Sequence, residues 1–357
     1  MARSYNRYRD IDDALLIEIC QRFLNGEKTK PIAEWLTKLL GRTFKRESVY
    51  PQIERAARLE YLRLDPPRHN TLQQRIADQF KVNREEIHVI SAQGDAVRDL
   101  VADATARHIV QLIREVGRIK GPKGRVGVGL GGGGTVDRVA RSLAGYLRKE
   151  FEVPDLTLHA LSPGFDVLNP RTAPVSSFGY FHGIDTDIKY VGLFAQCAVP
   201  SNNYDALRSA PGIVESFSRA KDIDIVITSC AGATDEHGEL NHFMQMSSHD
   251  DGDKTAKALR KAGWLGDVTY RPFNEFGPIE LEQGIRSVTL FELEDLVERI
   301  HEDENKHVVL VAAPCGLCGK TKVDALKPLL TQHDTLKLWN HLFLDTRTAG
   351  ELMPEAG

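Results

Sequence analysis

The chain has 357 residues, 41% of them hydrophobic, and sets 46 Lys/Arg against 50 Asp/Glu for a net charge of −4. That length supports a sizeable core and more than one domain. It holds no apolar run long enough to span a bilayer and no leader pattern over residues 1–10, so the expectation is a cytoplasmic protein with no membrane partner. The charge is uneven: residues 1–70 carry 14 basic and 10 acidic side chains, while the remainder is net −8. A basic head on an acidic body points to a polyanionic partner for the head.

The head comes first in the chain. Residues 12–23 read as a helix whose apolar face is Ala14, Leu15, Ile17, Ile19 and Phe23, stopped by Asn25-Gly26. Residues 31–40 read as a short second helix with Ile32, Ala33, Leu36, Leu39 and Leu40, stopped at Gly41. After the turn Arg42-Thr43-Phe44, a third helix runs through Ile53, Ala56, Ala57 and Leu59 to about Tyr61. Pro51 is tolerable only in a first turn, which puts the start near Tyr50 and the cap near Ser48. Residues 61–64 read as a wing strand, and Pro66-Pro67 closes the unit. This is a helix-turn-helix layout, and it would turn Lys38, Arg42, Lys45, Arg46, Ser48 and Tyr50 toward operator DNA. The plainer alternative is a small helical packing unit with solvated basic residues.

From Thr71 onward, strand and helix periods alternate. Leu72, Ile76 and Phe80 mark a helix, 87–90 a strand, and 95–116 a long helix. Residues 125–143 then read as a buried strand (Val126, Val128, Leu130), a glycine loop, and an amphipathic helix (Val136, Val139, Ala140, Leu143). Gly131, Gly132, Gly133 and Gly134 carry no side chains, so backbone N–H groups there can meet a guest directly. The next helix points its positive end at the same spot, with Thr135 at its cap. The contiguous glycines match neither a nucleotide P-loop nor a dinucleotide fingerprint. They suit a phosphate; the plain alternative is a bare turn. Further strands are expected at 156–161, 190–195, 223–228, 287–291, 307–313 and 341–344. Helices are expected at 212–220, 254–262, 293–301, 322–330 and 346–352. Such repeated β-α-β units make a largely parallel sheet with ligands at the strands' carboxyl ends. Residues 163–187, rich in Pro, Gly, Ser and Asp, read as a lid or interface arm.

Two more loops should converge on that edge: 229–235, with Cys230, and 313–320, with Lys320 opening a helix where its ammonium can grip an anion. Asp235, Glu236 and His237 form a polar cluster suited to acid–base chemistry or to a surface turn. The five cysteines (Cys20, Cys197, Cys230, Cys315, Cys318) are sparse and odd in number, as free thiols in a reducing compartment are. Cys315 and Cys318 lack the second pair that a structural zinc site asks for, so they read as two thiols in a ligand loop. Cys230 and His242 would complete a metal or redox site if the loops met. No cofactor, metal or catalytic residue is assigned.

Together these stretches resemble the SorC family of sugar-responsive bacterial transcriptional regulators. Residues 72–89 are similar to the family's connector and 125–143 to its ligand loop. Residues 262–277 are similar to its Gly-x-x-Gly-Asp segment, and 307–352 to its closing strand, lysine-bearing helix and final Asp-x-x-Thr-Ala-x-x-Leu stretch. The resemblance implies an N-terminal (winged) helix-turn-helix domain over 1–67. A Rossmann-like, sugar-phosphate-isomerase-like α/β effector and oligomerisation domain would follow over 68–357. It places the effector, a small phosphorylated sugar or related metabolite, at Gly132, Gly133, Gly134, Thr135, Asp267 and Lys320. It also implies homodimers or homotetramers on palindromic operators. Pro51 in the third helix, the long 162–187 connection and the Cys315–Cys318 turn depart from the family pattern. The rival function is a sugar-phosphate isomerase-like enzyme using Asp235 or Asp267 as its poised carboxylate.

Overall fold

The computed structural model describes residues 11–59, 61–62, 67–150, 152–165, 169–246, 250–281 and 284–353. The chain divides into two compact units, Met1–Asp65 and Pro66–Gly357.

In the first unit, helices span Asp13–Leu24, Thr29–Leu40 and Tyr50–Arg58. The Asp12 carboxylate accepts the Leu15 N–H at 2.8 Å and caps the first helix. The second helix stops at Gly41, whose φ of 65° is left-handed. Pro51 lies in the third helix's first turn, where its missing N–H costs nothing. The cap is Val49 rather than Ser48 and makes no side-chain hydrogen bond. Leu16, Ile19, Ile32, Leu36, Phe44, Val49 and Ala56 are buried together as this unit's own core. Phe44 pins the turn before the third helix: its N–H donates to Thr37 Oγ1 at 2.9 Å while its ring sits in that core. The expected wing strand falls partly on residues 63 and 64, outside the described residues. Tyr61 and Leu62 form a bend.

The second unit carries eleven strands among its described residues: β1 Ile87–Ile90, β2 Val126–Leu130, β3 Leu156–Ala160, β4 Ile188–Val191, β5 Ala198–Pro200, β6 Ile225–Gly232, β7 Gly266–Val268, β8 Arg271–Phe273, β9 Ile285–Ser287, β10 His307–Ala312 and β11 His341–Asp345. The main sheet runs β1-β11-β10-β6-β2-β3-β4 with every pair on that path parallel. β7 pairs antiparallel with the far end of β6, and β8 with β7. The segment expected as a main-sheet strand at 287–291 departs from that reading. Only Ile285–Ser287 is strand, and it pairs antiparallel with β5 in a separate ribbon.

Helices cover both faces of the sheet, and the strands feed the two layers alternately. On β10, Val308 and Leu310 join a core with the helices Leu293–Glu302, Val323–Thr331 and Thr346–Leu352. Val309 and Val311 join the opposite core with the helices Val97–Lys120 and Gly134–Leu147. Each such side chain contributes about 1.5–3 kcal/mol by leaving water. The long helix Val97–Lys120 turns Val101, Ala102, Thr105, Ile109, Ile113 and Val116 inward at three- and four-residue spacing. Among the described residues no helix is long and apolar enough to cross a membrane.

Candidate functional site

The chain leaves β2 for β3 and β4 on one side and returns through β6 on the other, so the strand order reverses between β2 and β6. A crevice opens at such a reversal, beyond the strands' carboxyl ends. Here it is a cleft of about 360 Å³ walled by the loops after β2, β6 and β10 and by the β7–β8 hairpin.

The glycine loop forms one wall. Gly132, Gly133, Gly134 and Thr135 line the cleft. The helix Gly134–Leu147 has no side-chain cap, so its first-turn N–H groups have no partner within the helix and face the cleft. Gly131 does not contribute. It is buried, and its N–H donates to the Ile227 carbonyl at 2.9 Å, extending the β2–β6 pairing. Gly133, at φ 97°, donates its N–H to Thr172 O at 2.9 Å, tying the loop to the 163–187 segment. The expected lid therefore enters the site as a wall, through Asn169 and Thr172. A side chain at 132 would displace Tyr270, because a Cβ there would lie against Tyr270 Oη.

Tyr270 lines the cleft and was not among the residues expected from the sequence. It sits with Thr269 at the tip of the β7–β8 hairpin, both in the left-handed region, at φ 63° and 49°. That turn normally selects Asn or Gly. Its ring stacks on Phe165, with centroids 3.9 Å apart, and its hydroxyl donates to Glu239 Oε2 at 2.6 Å. Burial first, then the Glu239 charge, holds the Tyr270 hydroxyl protonated far above the ordinary tyrosine value. Nothing in the local pattern of either segment announces a contact spanning 31 residues.

Lys320 is exposed and lies outside the cleft; the lysine on its wall is Lys322. The reason is the helix start. The turn after β10 runs on until Lys322, itself the N-cap of the helix Val323–Thr331, so the cation at the helix end is two residues later than the glycine turn suggested. Lys322 is buried, as are Asp267 and Cys230. Desolvation lifts the Asp267 carboxyl to about 7 against the pull of Lys322, with Glu239 adding to the rise. Burial pushes the Cys230 thiol up to about 11, so it is a neutral wall. Arg98, Arg138, Asp235, His237, Glu239 and Cys315 also line it. Arg138 is turned aside by Asp99, 3.1 Å from its Nε. The cleft thus has an anion-attracting side of amides, Lys322 and Arg98. It also has an accepting side of carboxylates suited to hydroxyl groups.

In the first unit, Lys38, Lys45, Arg46 and Tyr50 are exposed, while Arg42 and Ser48 are half-buried. The Arg42 guanidinium lies over the Phe44 ring, 4.6 Å from its centroid. Arg46 Nε meets Glu47 Oε1 at 2.7 Å, which offsets part of its charge. The set gathers around the turn before the third helix.

No protein-family model matches the sequence, and no curated protein matches it. Solved structures do share its fold. The full-length sorbitol operon regulator SorC from Klebsiella pneumoniae is 15% identical, with a TM-score of 0.62 over 96% of this chain and 99% of that one. A DeoR family transcriptional regulator from Listeria monocytogenes is 17% identical, with a TM-score of 0.56 over 79% of this chain and 98% of that one. A putative sugar-binding domain of a transcriptional repressor from Vibrio fischeri is 16% identical, with a TM-score of 0.54 over 79% and 97%. The first of these shares the fold over nearly the whole chain, a helix-turn-helix unit joined to a Rossmann-like α/β unit, and the other two share it over 79%.

Proposed function

We propose that the chain is a cytoplasmic DNA-binding transcriptional regulator whose operator affinity is set by a small phosphorylated sugar or related polyol. The single observation that carries the reading is the two-sided cleft. Uncapped helix amides from 134 onward and Lys322 offer a phosphate its donors, while Glu239 and Asp267 accept from hydroxyls. The neighbours' names support the regulator and the sugar: a sorbitol operon regulator and the putative sugar-binding domain of a repressor. The exposed cations Lys38 and Lys45 would neutralise phosphates, with Arg42, Arg46, Ser48 and Tyr50 beside them. Such regulators act on paired half-sites, so the working form is a homodimer or homotetramer.

The test is a binding titration with sugar phosphates and the corresponding free sugars. Phosphorylated ligands raise the melting temperature and free sugars do not. Lys322→Met weakens phosphate-ligand binding by roughly tenfold to a hundredfold, the worth of a charge-assisted hydrogen bond. Lys320→Ala leaves it unchanged. Equal binding of phosphorylated and free sugars removes the anion side of the reading. Turnover of a pentose or hexose phosphate by the purified protein would replace a regulator with an enzyme.

A further inference from the structure

The loop after β6 and the turn after β10 leave adjacent parallel strands and emerge side by side, β10 pairing with β6 from His307 to Val311. There they bring together four side chains that no role in the cleft requires as a set: Asp235, His237, Cys315 and Cys318. One donor atom from each lies within 4.8 Å of all the others. His237 Nδ1 stands 3.7 Å from Cys315 Sγ and 3.6 Å from Asp235 Oδ1. A tetrahedral zinc ion with sulfur at about 2.3 Å and nitrogen or oxygen at about 2.0–2.1 Å spaces its ligands roughly 3.3–3.8 Å apart. The measured pairs already have that spacing.

Both halves of the cluster are held in place by their own backbone. The Asp235 carboxylate accepts the His237 N–H at 3.0 Å, which fixes the two donors on one tight turn. The cysteine turn is closed by Cys315 N–H to Lys320 O at 2.9 Å and Gly319 N–H to Cys315 O at 3.0 Å, with Gly319 at φ 70°. The groups that stand beside the Cys-x-x-Cys pair are Asp235 and His237, not Cys230 and His242.

We infer that Asp235, His237, Cys315 and Cys318 form a closed, four-ligand zinc site that staples the β6 loop to the β10 turn at the rim of the cleft. Two thiolates and an imidazole select a soft or borderline ion over magnesium or calcium. On binding, the two thiol protons leave to solvent, and the ion with two thiolates and one carboxylate carries a net charge of −1. Four protein ligands fill the tetrahedron, so the role is structural.

The test needs no sugar and no DNA. Full-length protein, reduced and stripped with chelator, is titrated with cobalt(II) under anaerobic conditions. The expected result is one cobalt per chain, with a thiolate-to-metal charge-transfer band and the visible bands of a tetrahedral ion, both erased by equimolar zinc. Zinc alone raises the melting temperature. Cys318→Ser, at an exposed position, and His237→Ala each lower cobalt affinity by more than about tenfold. Cys197→Ser leaves it unchanged. The absence of a thiolate–cobalt spectrum in the reduced wild-type protein would overturn the site, as would a spectrum that survives Cys315→Ser/Cys318→Ser. Formation of a Cys315–Cys318 disulfide with no metal uptake by the reduced protein would overturn it in favour of a redox pair. If a variant fails to fold, the wild-type spectrum decides. Lys322 is not a ligand, so loss of phosphate binding in Lys322→Met leaves this result untouched.

Discussion

Asp267 is a buried group in the cleft whose charge is finely balanced. Desolvation holds its carboxyl at about 7 despite Lys322, so both protonation states are populated at neutral pH. A phosphate guest is repelled by the ionised form, which makes affinity fall as pH rises through about 7, by up to about tenfold per pH unit beyond it. Calorimetric titration between about pH 6 and pH 8 reads this. Asp267→Asn flattens the profile, and the difference between the two proteins cancels the guest's own titration near pH 6. The protonated carboxyl still accepts through its carbonyl oxygen, so a wild-type affinity that rises with pH would show that the stronger acceptance by the ionised form outweighs its repulsion of the phosphate. Asp267 was legible in the sequence because it sits beside a glycine in a recognisable segment. Lys322 was displaced by two positions because a helix start depends on where the preceding turn closes. That closure is set here by the Cys315–Lys320 hydrogen bond. Tyr270 and Glu239 were invisible, since their meeting depends on tertiary placement alone.

The elements carry a pH dependence of their own. β1, β10, β11 and the helix Val97–Lys120 bring together His88, His307, His341 and His108. His108 Nε2 lies 3.0 Å from His341 Nδ1, and His341 Nε2 3.2 Å from His307 Nδ1. His88 stacks on Phe343 with centroids 4.2 Å apart, and its ring nitrogens find no partner among the described residues. Burial depresses these groups first; the His108 ring and Arg68 then act on His88, Arg68 and His307 on His108, and the neighbouring rings on His341, to about 3 for His88, 4 for His108 and 2 for His341. The folded-state values lie below the unfolded value of about 6.5, so the unfolded chain takes up protons first. Stability is complete above that pH and is lost as pH falls, by roughly 1–2 kcal/mol per histidine by about pH 5. Melting temperatures across that range should show the decline, and His88→Leu should make it shallower while raising the neutral-pH value. A flat profile would show that the rings reach solvent. Periodicity revealed the strands that enter this cluster because they are apolar on both faces. It misassigned 287–291 because a buried apolar run reads alike in a main-sheet strand and in a ribbon beside it.

Across the whole chain, the division of labour follows the charge: the basic set is on the first unit and the cleft is in the second. This much was readable from composition, because phosphate neutralisation needs exposed cations wherever it occurs. Lys45→Ala should lower the salt slope of operator binding by about one, whereas Arg46→Ala should lower it by less, its charge being shared with Glu47. Linkage requires that if a sugar phosphate changes operator affinity by some factor, operator changes sugar-phosphate affinity by the same factor. Fluorescence anisotropy in one direction and calorimetry in the other check this, and unequal factors would mean that the two ligands act on different species. The Thr269-Tyr270 tip has one more consequence. Each residue held at positive φ costs about 1–3 kcal/mol. Asn at 269 would relieve that strain, but at Tyr270 the packing of the buried ring, about 3–5 kcal/mol on truncation, outweighs what a glycine would recover. Proteins selected only for heat tolerance should therefore exchange the threonine and keep the aromatic ring above Gly132, so hardening the fold leaves this wall of the crevice standing.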